Sequence, residues 1–254
     1  MSIFLKSENI MNLEIKNITK SYNDKTIIQN VNLNLQSGEI ISLLGVSGVG
    51  KTTVFNILSG LTKPDSGQVI LNNENITGKS GIVSYMLQKD LLFDFKTIID
   101  NVSLPLIVNG KRKKDARKIT KPYFEKFGLL GFENKYPKEL SGGMRQKAAL
   151  LRTYFFSGEI FLLDEPFSAL DPITKYQMYE WYLDISKKMG ISTIFITHDV
   201  DEAILLSNRI YILSGNPGKI SKEINIKNKL ENVVEFSLNN KFLEYKKEIL
   251  DCIK

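Results

Sequence analysis

Gly45-Val46-Ser47-Gly48-Val49-Gly50-Lys51-Thr52 stands directly after the apolar run Ile40-Ile41-Ser42-Leu43-Leu44 and directly before the helical run Thr53 to Leu58. The octet fits GxxxxGK[ST], and a strand before it and a helix after it are the setting in which that pattern binds phosphate. Glycines let the backbone wrap closely enough for its N–H groups to face phosphate oxygens, and the helix start, with Thr53 in its first turn, adds partial positive charge. Lys51 is placed to bridge the β- and γ-phosphates of a nucleotide. Thr52 offers a hydroxyl to Mg²⁺, a hard cation that favours oxygen ligands. The segment predicts a site for ATP with Mg²⁺, and ATP hydrolysis as its chemistry.

On either side of this loop the apolar pattern takes two forms. Ile160-Phe161-Leu162-Leu163 and Ile191 to Ile196 share the nearly continuous apolar character of Ile40 to Leu44, as strands covered on both faces of a parallel sheet do. Leu13 to Ile18 and Ile27 to Leu35 instead alternate apolar with polar residues, the mark of half-buried antiparallel strands, with Asn23-Asp24 as the turn former between them. Helical patterns separate the apolar runs. One opens with Asp171 as N-cap and Pro172 at the first helical position, then carries Tyr176, Tyr179 and Leu183 at helical spacing.

The fold class is therefore α/β, a P-loop ATPase core with an antiparallel β subdomain. Between Lys89 and Lys138 helical pattern dominates, notably over Lys113 to Phe127, which predicts an inserted helical subdomain over about residues 89–157. The ATPase domain is expected to run from residue 11 to 233, with a C-terminal helical tail over 234–254.

The 254 residues suffice for one large domain and a substantial core. No apolar run approaches the roughly 20 residues of a membrane helix, and Met1 to Asn9 is too short and polar for a secretory signal, so the expected location is cytoplasmic. Cys252 is the single cysteine and has no cluster of ligating residues around it, so neither an internal disulfide nor a metal centre is expected there. The net charge of +6 is modest and reads as a solvated face; no nucleic-acid partner is expected.

Asp164 closes the apolar strand Ile160 to Leu163, on the sheet edge where α/β folds bind ligands, and so suits a magnesium carboxylate. The adjacent Glu165 alternates in direction and is placed to orient and polarise an attacking water. A third segment, Leu140-Ser141-Gly142-Gly143-Met144-Arg145-Gln146, sets a serine and two glycines at the start of a helix running to about Tyr154, a second anion-binding helix terminus without a P-loop lysine.

With these motifs assembled, the chain resembles the ATP-binding subunit of an ATP-binding cassette (ABC) transporter over nearly its whole length. Beside the P-loop, the likeness rests on the LSGG signature Leu140 to Gly143, Asp164-Glu165-Pro166 followed by Ser168-Ala169-Leu170-Asp171, Thr197-His198-Asp199, Gln88 after the apolar run Ile82 to Leu87, and Tyr22. The resemblance implies that Tyr22 stacks on adenine, that Gln88 helps hold Mg²⁺, and that His198, the one histidine of the chain, contacts the γ-phosphate. It also implies that Ser141 and the amides of Gly142 and Gly143 reach the γ-phosphate of ATP held by a second ATP-binding subunit, in a homodimer whose two sites Asp171 helps to link.

Tyr136-Pro137, Pro166 to Asp171, Asp199 to Ala203 and Leu213 to Gly218 are similar to importer subunits for nitrate, sulfonate or taurine, bicarbonate and thiamin-pyrimidine precursors. The implied partners are an integral membrane permease and, indirectly, an extracytoplasmic substrate-binding protein, with the subunit peripheral on the cytoplasmic face of the membrane. Leu91, Leu92, Phe93 and Phe95 are candidates for the permease contact. Two departures stand out: Phe93-Asp94-Phe95 replaces the Pro-Trp common in that group, and Gly158 replaces a proline before the strand to Asp164. A soluble ABC ATPase acting on nucleic acid, ribosomes or cofactor assembly remains the alternative. A GTPase is excluded by the missing Asn-Lys-x-Asp motif.

Overall fold

Asn23 and Asp24 take positive φ angles of 48° and 62° and turn β1 (Asn12–Tyr22) back into β2 (Lys25–Gln36). Short polar side chains tolerate this left-handed backbone best, which is why the hairpin closes there. The computed structural model describes residues 12–157, 159–227 and 232–253. Residue 11, the expected domain start, and Gly158 and Lys254 lie outside the described residues.

After the hairpin come β3 (Ile40–Leu44), α1 (Lys51–Leu58), β4 (Ser66–Leu71), β5 (Glu74–Asn75) and β6 (Ser84–Met86). The helical insert follows, with α2 (Ile98–Val108), α3 (Lys113–Thr120), α4 (Pro122–Lys126), a 3-10 turn over Pro137–Glu139 and α5 (Gly142–Ser157). The chain then returns to the core as β7 (Ile160–Asp164), α6 (Pro172–Met189), β8 (Ser192–Thr197), α7 (Val200–Leu206), β9 (Arg209–Ser214) and β10 (Lys219–Asn225), and ends in α8 (Val233–Ser237) and α9 (Asn240–Ile253).

Two sheets result. An antiparallel sheet has the order β2-β1-β4-β5, and a larger one has the order β10-β9-β3-β8-β7-β6, parallel throughout except for the edge strand β10. All five residues of β3 and all six of β8 are buried, as strands covered on both faces must be. In β2 the inward positions Ile28, Val31, Leu33 and Leu35 are buried while the positions between them are exposed. One apolar core joins this antiparallel sheet to one face of the parallel sheet and to α1, through residues such as Ile15, Leu43, Phe55 and Ile194. The other fills the space between the opposite face and the remaining helices. There Phe167 packs edge-on against Tyr179 and Tyr182 with ring centroids 5.4 and 6.1 Å away, each such pair adding about 0.5–1.5 kcal/mol beyond area burial.

The insert is held to itself by a buried-edge ion pair. Asp100 of α2 accepts from Arg117 Nε and Nη2 at 2.8 Å each, and although burial raises its pKa, Arg117 and Lys113 hold the carboxyl below the usual range. Lys113 to Phe127, expected to be helical, is two helices meeting at Lys121-Pro122, because proline can open a helix but cannot continue one. The C-terminal helices pack onto the core: Phe236, Phe242, Tyr245 and Ile249 are buried, and Lys246 pairs with Asp201 of α7 at 2.7 Å.

Candidate active site

The parallel register sets the site. Leu44 at the end of β3 lies beside Thr197 at the end of β8, Ile196 beside Asp164 at the end of β7, and Met86 at the end of β6 beside Leu163. Four adjacent strands therefore finish level, and the segments that follow them carry Lys51, His198, Glu165 and Gln88 to one edge. That edge is where an open α/β sheet binds its ligand.

The loop from Gly45 to Thr52 is shaped by its glycines. Gly48 and Gly50 adopt φ of 81° and 112°, and Gly50 forms the left-handed start of α1 with no side chain capping the helix. The first-turn N–H groups at Lys51, Thr52 and Thr53 are thus left to an outside acceptor. A Cβ at Gly48 would meet nothing within 4 Å, so that side of the loop is open, whereas a Cβ at Gly50 would run into the Ile28 side chain. Gly50→Ala is accordingly expected to lower the melting temperature by several degrees, through strain of about 1–3 kcal/mol, and to weaken nucleotide binding. Thermal unfolding with and without ATP checks both effects; an unshifted midpoint and normal ATP stabilisation would refute them.

Lys51 is buried, and its ammonium donates to Gly45 O at 2.7 Å and Val46 O at 3.0 Å. Burial pulls its pKa down, while the negative charges of Glu165 and Asp164 push it back up. Asp164 is affected in the opposite sense: burial raises its pKa, and Glu165 adds to the rise, while a hydrogen bond from Tyr85 Oη at 3.3 Å and the charge of Lys51 lower it. A desolvated cation beside two carboxylates is a site that an anionic phosphate with a divalent cation would balance.

Glu165 is the hub. Its Oε1 lies 2.7 Å from His198 Nδ1, and its Oε2 accepts from Gln88 Nε2 at 3.0 Å. The expected strand alternation is not what aims it. Glu165 has left the strand, with φ of +45° and its N–H bound to Ile196 O at 2.9 Å, a left-handed turn that a non-glycine residue adopts only when its surroundings hold it there.

Ser141 and Gly142 are exposed at the start of α5, and Gly143 is buried. Ser141 Oγ accepts from Met144 N at 3.3 Å, and Gly142 and Gly143 face Leu170 and Thr174, beside the turn where Asp171 caps α6 through Thr174 N at 3.0 Å. No described contact joins this segment to Lys51 or Glu165 of the same chain. Tyr22, the last residue of β1, is 44% exposed with Lys20 Nζ 5.3 Å from its ring centroid, while Ile27 and Ile28 of the same hairpin lean on Gly50.

Several supporting residues carry no motif signal. Tyr85 positions Asp164, Gln146 donates to Pro166 O, and Arg152 donates to Asp90 O and, at 2.7 Å, to Leu91 O, tying α5 to the segment after Gln88. Leu213 O and Gly218 brace the P-loop from behind, since a Cβ on Gly45 would strike the first and a Cβ on Gly218 would strike Val49 O. The apolar run Ile210 to Leu213 was a signal for β9, of the same kind as those of β3, β7 and β8.

The chain is similar to known proteins over most of its length. Residues 28–168 match the family model described as ABC transporter. The chain is 39% identical over 206 residues to the formylaminopyrimidine import ATP-binding protein of Halalkalibacterium halodurans, covering 81% of this chain and 80% of that one. It is 36% identical over 220 residues to the nitrate import ATP-binding protein of Synechocystis sp., covering 85% and 83%. The dimeric post-hydrolysis structure of the ATP-binding cassette MJ0796, bound to ADP and Pi, superposes with a TM-score of 0.71 at 30% identity, over 85% of this chain and 99% of that one.

Proposed function

We propose, because this chain belongs to the ABC transporter family and is one of its ATPases, that it works as a dimer whose ATP cycle drives import of a small solute through a membrane permease. The observation that carries the hydrolytic reading is the meeting of Gln88, Glu165 and His198 beside Lys51, four side chains from segments far apart in sequence. In this reading the loop amides from Gly45 to Thr53 and the Lys51 ammonium hold the phosphates, and Tyr22 stacks on adenine. Glu165 orients the attacking water and accepts its proton, with His198 at the γ-phosphate.

The residues present fit Mg²⁺. Thr52, Asp164 and Gln88 offer a hydroxyl, a carboxylate and an amide oxygen, all hard donors, and the Gln88 amide spends its nitrogen on Glu165, leaving its oxygen for a cation. When bound, the ion supplies charge neutralisation on the phosphates.

Two features support the dimer. No described contact joins the signature residues Ser141 to Gly143 to their own P-loop, and a cassette of 30% identity is a dimer with hydrolysis products bound. In the proposed complex the signature of one subunit closes on the nucleotide of the other, and Asp171 lies at the joint between the two sites.

The permease contact is best supported at the groove between core and insert. This is a cavity of about 450 Å³ lined by Leu61, Leu87, Leu91, Pro105, Val108 and Phe156, among others, with Phe93 and Phe95 on the exposed surface just beyond Leu91. Leu87 and Lys89, the residues on either side of Gln88, line it, so an occupant can act on the catalytic hub through the backbone of that segment. Val108→Asp, at a position 76% exposed, is expected to leave hydrolysis by the isolated subunit within about 2-fold while abolishing permease capture. Co-purification from membranes checks it, and undiminished capture would move the contact elsewhere.

No helix among the described residues is long and apolar enough to cross a membrane, consistent with a peripheral subunit on the cytoplasmic face. The named relatives take up a pyrimidine and an inorganic anion, and the load proposed here is of that size: a small organic or inorganic anion or a thiamin precursor, delivered by an extracytoplasmic binding protein. The deciding experiment is to co-purify the permease and identify the binding-protein ligand that stimulates ATP hydrolysis. Stimulation by nucleic acid or ribosomes without a permease would overturn import in favour of a soluble ABC ATPase.

A further inference from the structure

His198 sits on a turn closed by a ring of hydrogen bonds in which Glu202 takes part twice. Asp199 N donates to Thr197 Oγ1 at 3.0 Å, Thr197 Oγ1 donates to Glu202 Oε2, and Glu202 N donates back to Asp199 Oδ1 at 3.2 Å. Both neighbours of His198 are thereby fixed, while its own side chain stays 61% exposed and directs Nδ1 at Glu165. We propose that Glu202 is a positioning residue for ATP hydrolysis, holding the Thr197-His198-Asp199 turn so that the imidazole meets Glu165. This inference rests on the reading that His198 acts at the γ-phosphate.

A helix cap alone does not account for a carboxyl here. Asp199 already caps α7 through the N–H groups of Asp201 and Glu202, and the residues after Glu202, from Ala203 to Leu206, are all buried and apolar. Glu202 is itself 4% exposed, and its Oε1 is buried with no hydrogen-bond partner. Leaving such an oxygen unpaired is costly for a group whose only purpose is packing.

The surroundings also set its charge. Burial raises the Glu202 pKa to about 7, with Asp199 and Glu165 adding to the rise, and the Thr197 hydrogen bond and Lys175 opposing it. Tyr179 of α6 also faces it, and Asp201 on its own helix is engaged by Lys246 of α9. Near neutrality the carboxyl is thus partly protonated and adds less than a full second charge beside Glu165. The folded state holds that proton above the ordinary glutamate value of 4.5. The stability it contributes is therefore complete below that value and is lost as pH rises through about 7.

The chain has one histidine, so the imidazole proton resonances of the untagged protein report this turn alone. Glu202→Gln preserves an acceptor for Thr197 and is expected to keep the His198 resonance position and to hold kcat within about 2-fold at pH 7, while removing the decline of melting temperature above that pH. Glu202→Leu is expected to shift the resonance and to lower kcat about 10-fold, with the KM for ATP within about 2-fold. A folded Glu202→Leu protein with the wild-type resonance and kcat overturns the proposal. Should that variant not fold, Thr197→Val opens the same ring at its other member and is judged by the same two readouts. His198→Ala tests the underlying reading separately: wild-type hydrolysis by that variant would discard a role for His198, whereas the resonance in Glu202→Leu still shows whether Glu202 holds the turn.

Discussion

Glu165→Gln is expected to lower ATP hydrolysis by about 10² to 10⁴-fold while leaving ATP binding intact, so that with ATP and Mg²⁺ the protein accumulates as a dimer. The geometry separates the two effects. Glu165 makes its side-chain contacts to His198 at 2.7 Å and Gln88 at 3.0 Å, whereas the phosphate cradle is built from loop amides and Lys51. Glutamine preserves volume but cannot accept a proton from water, so the nucleotide that glues the dimer is no longer consumed. Removing one carboxylate charge also relieves the repulsion that Glu165 exerts on Asp164, which favours the loaded state. Light scattering of the variant with ATP and Mg²⁺ reads the outcome. A monomer under those conditions, or hydrolysis within a few-fold of wild type, would sink the mechanism.

The sequence disclosed this hub unevenly, for identifiable reasons. Strands β3, β7 and β8 were readable because a strand covered on both faces must be apolar at every position. The loop after β3 was readable because close backbone approach to phosphate demands glycine at set intervals. Strands β4 and β5 passed unseen, since Ser66–Leu71 is half polar and Glu74–Asn75 is too short to show a period. The strained φ of Glu165 and the Tyr85–Asp164 bond were also out of reach, because each is imposed by a neighbouring strand and leaves no local pattern. The same holds for the ring around His198: Thr197, Asp199 and Glu202 are close in sequence, yet only the burial of Glu202 beneath the turn shows that its carboxyl faces inward.

Mixing two inactive variants should restore hydrolysis. Lys51→Ala removes the P-loop cation, and Ser141→Arg fills the exposed start of α5 with a bulky cation; each alone is expected to cost about 10² to 10³-fold or more, because each removes a contact made at the γ-phosphate. In a homodimer of either variant both sites are defective. In a mixed dimer the defects segregate: one site combines the altered P-loop with the altered signature, and the other combines the intact P-loop of the Ser141→Arg chain with the intact signature of the Lys51→Ala chain. Random pairing of equal amounts makes half the dimers mixed, each with one sound site, so activity should return to about a quarter of wild type if the sites act independently. Ser141 lies on the surface, and Lys51→Ala gives up a desolvated charge together with its hydrogen bonds to Gly45 O and Val46 O. The outcome is specific to a site shared between two chains. A site completed within a single chain would give no recovery at any mixing ratio, and steady-state ATPase measured across those ratios distinguishes the two arrangements.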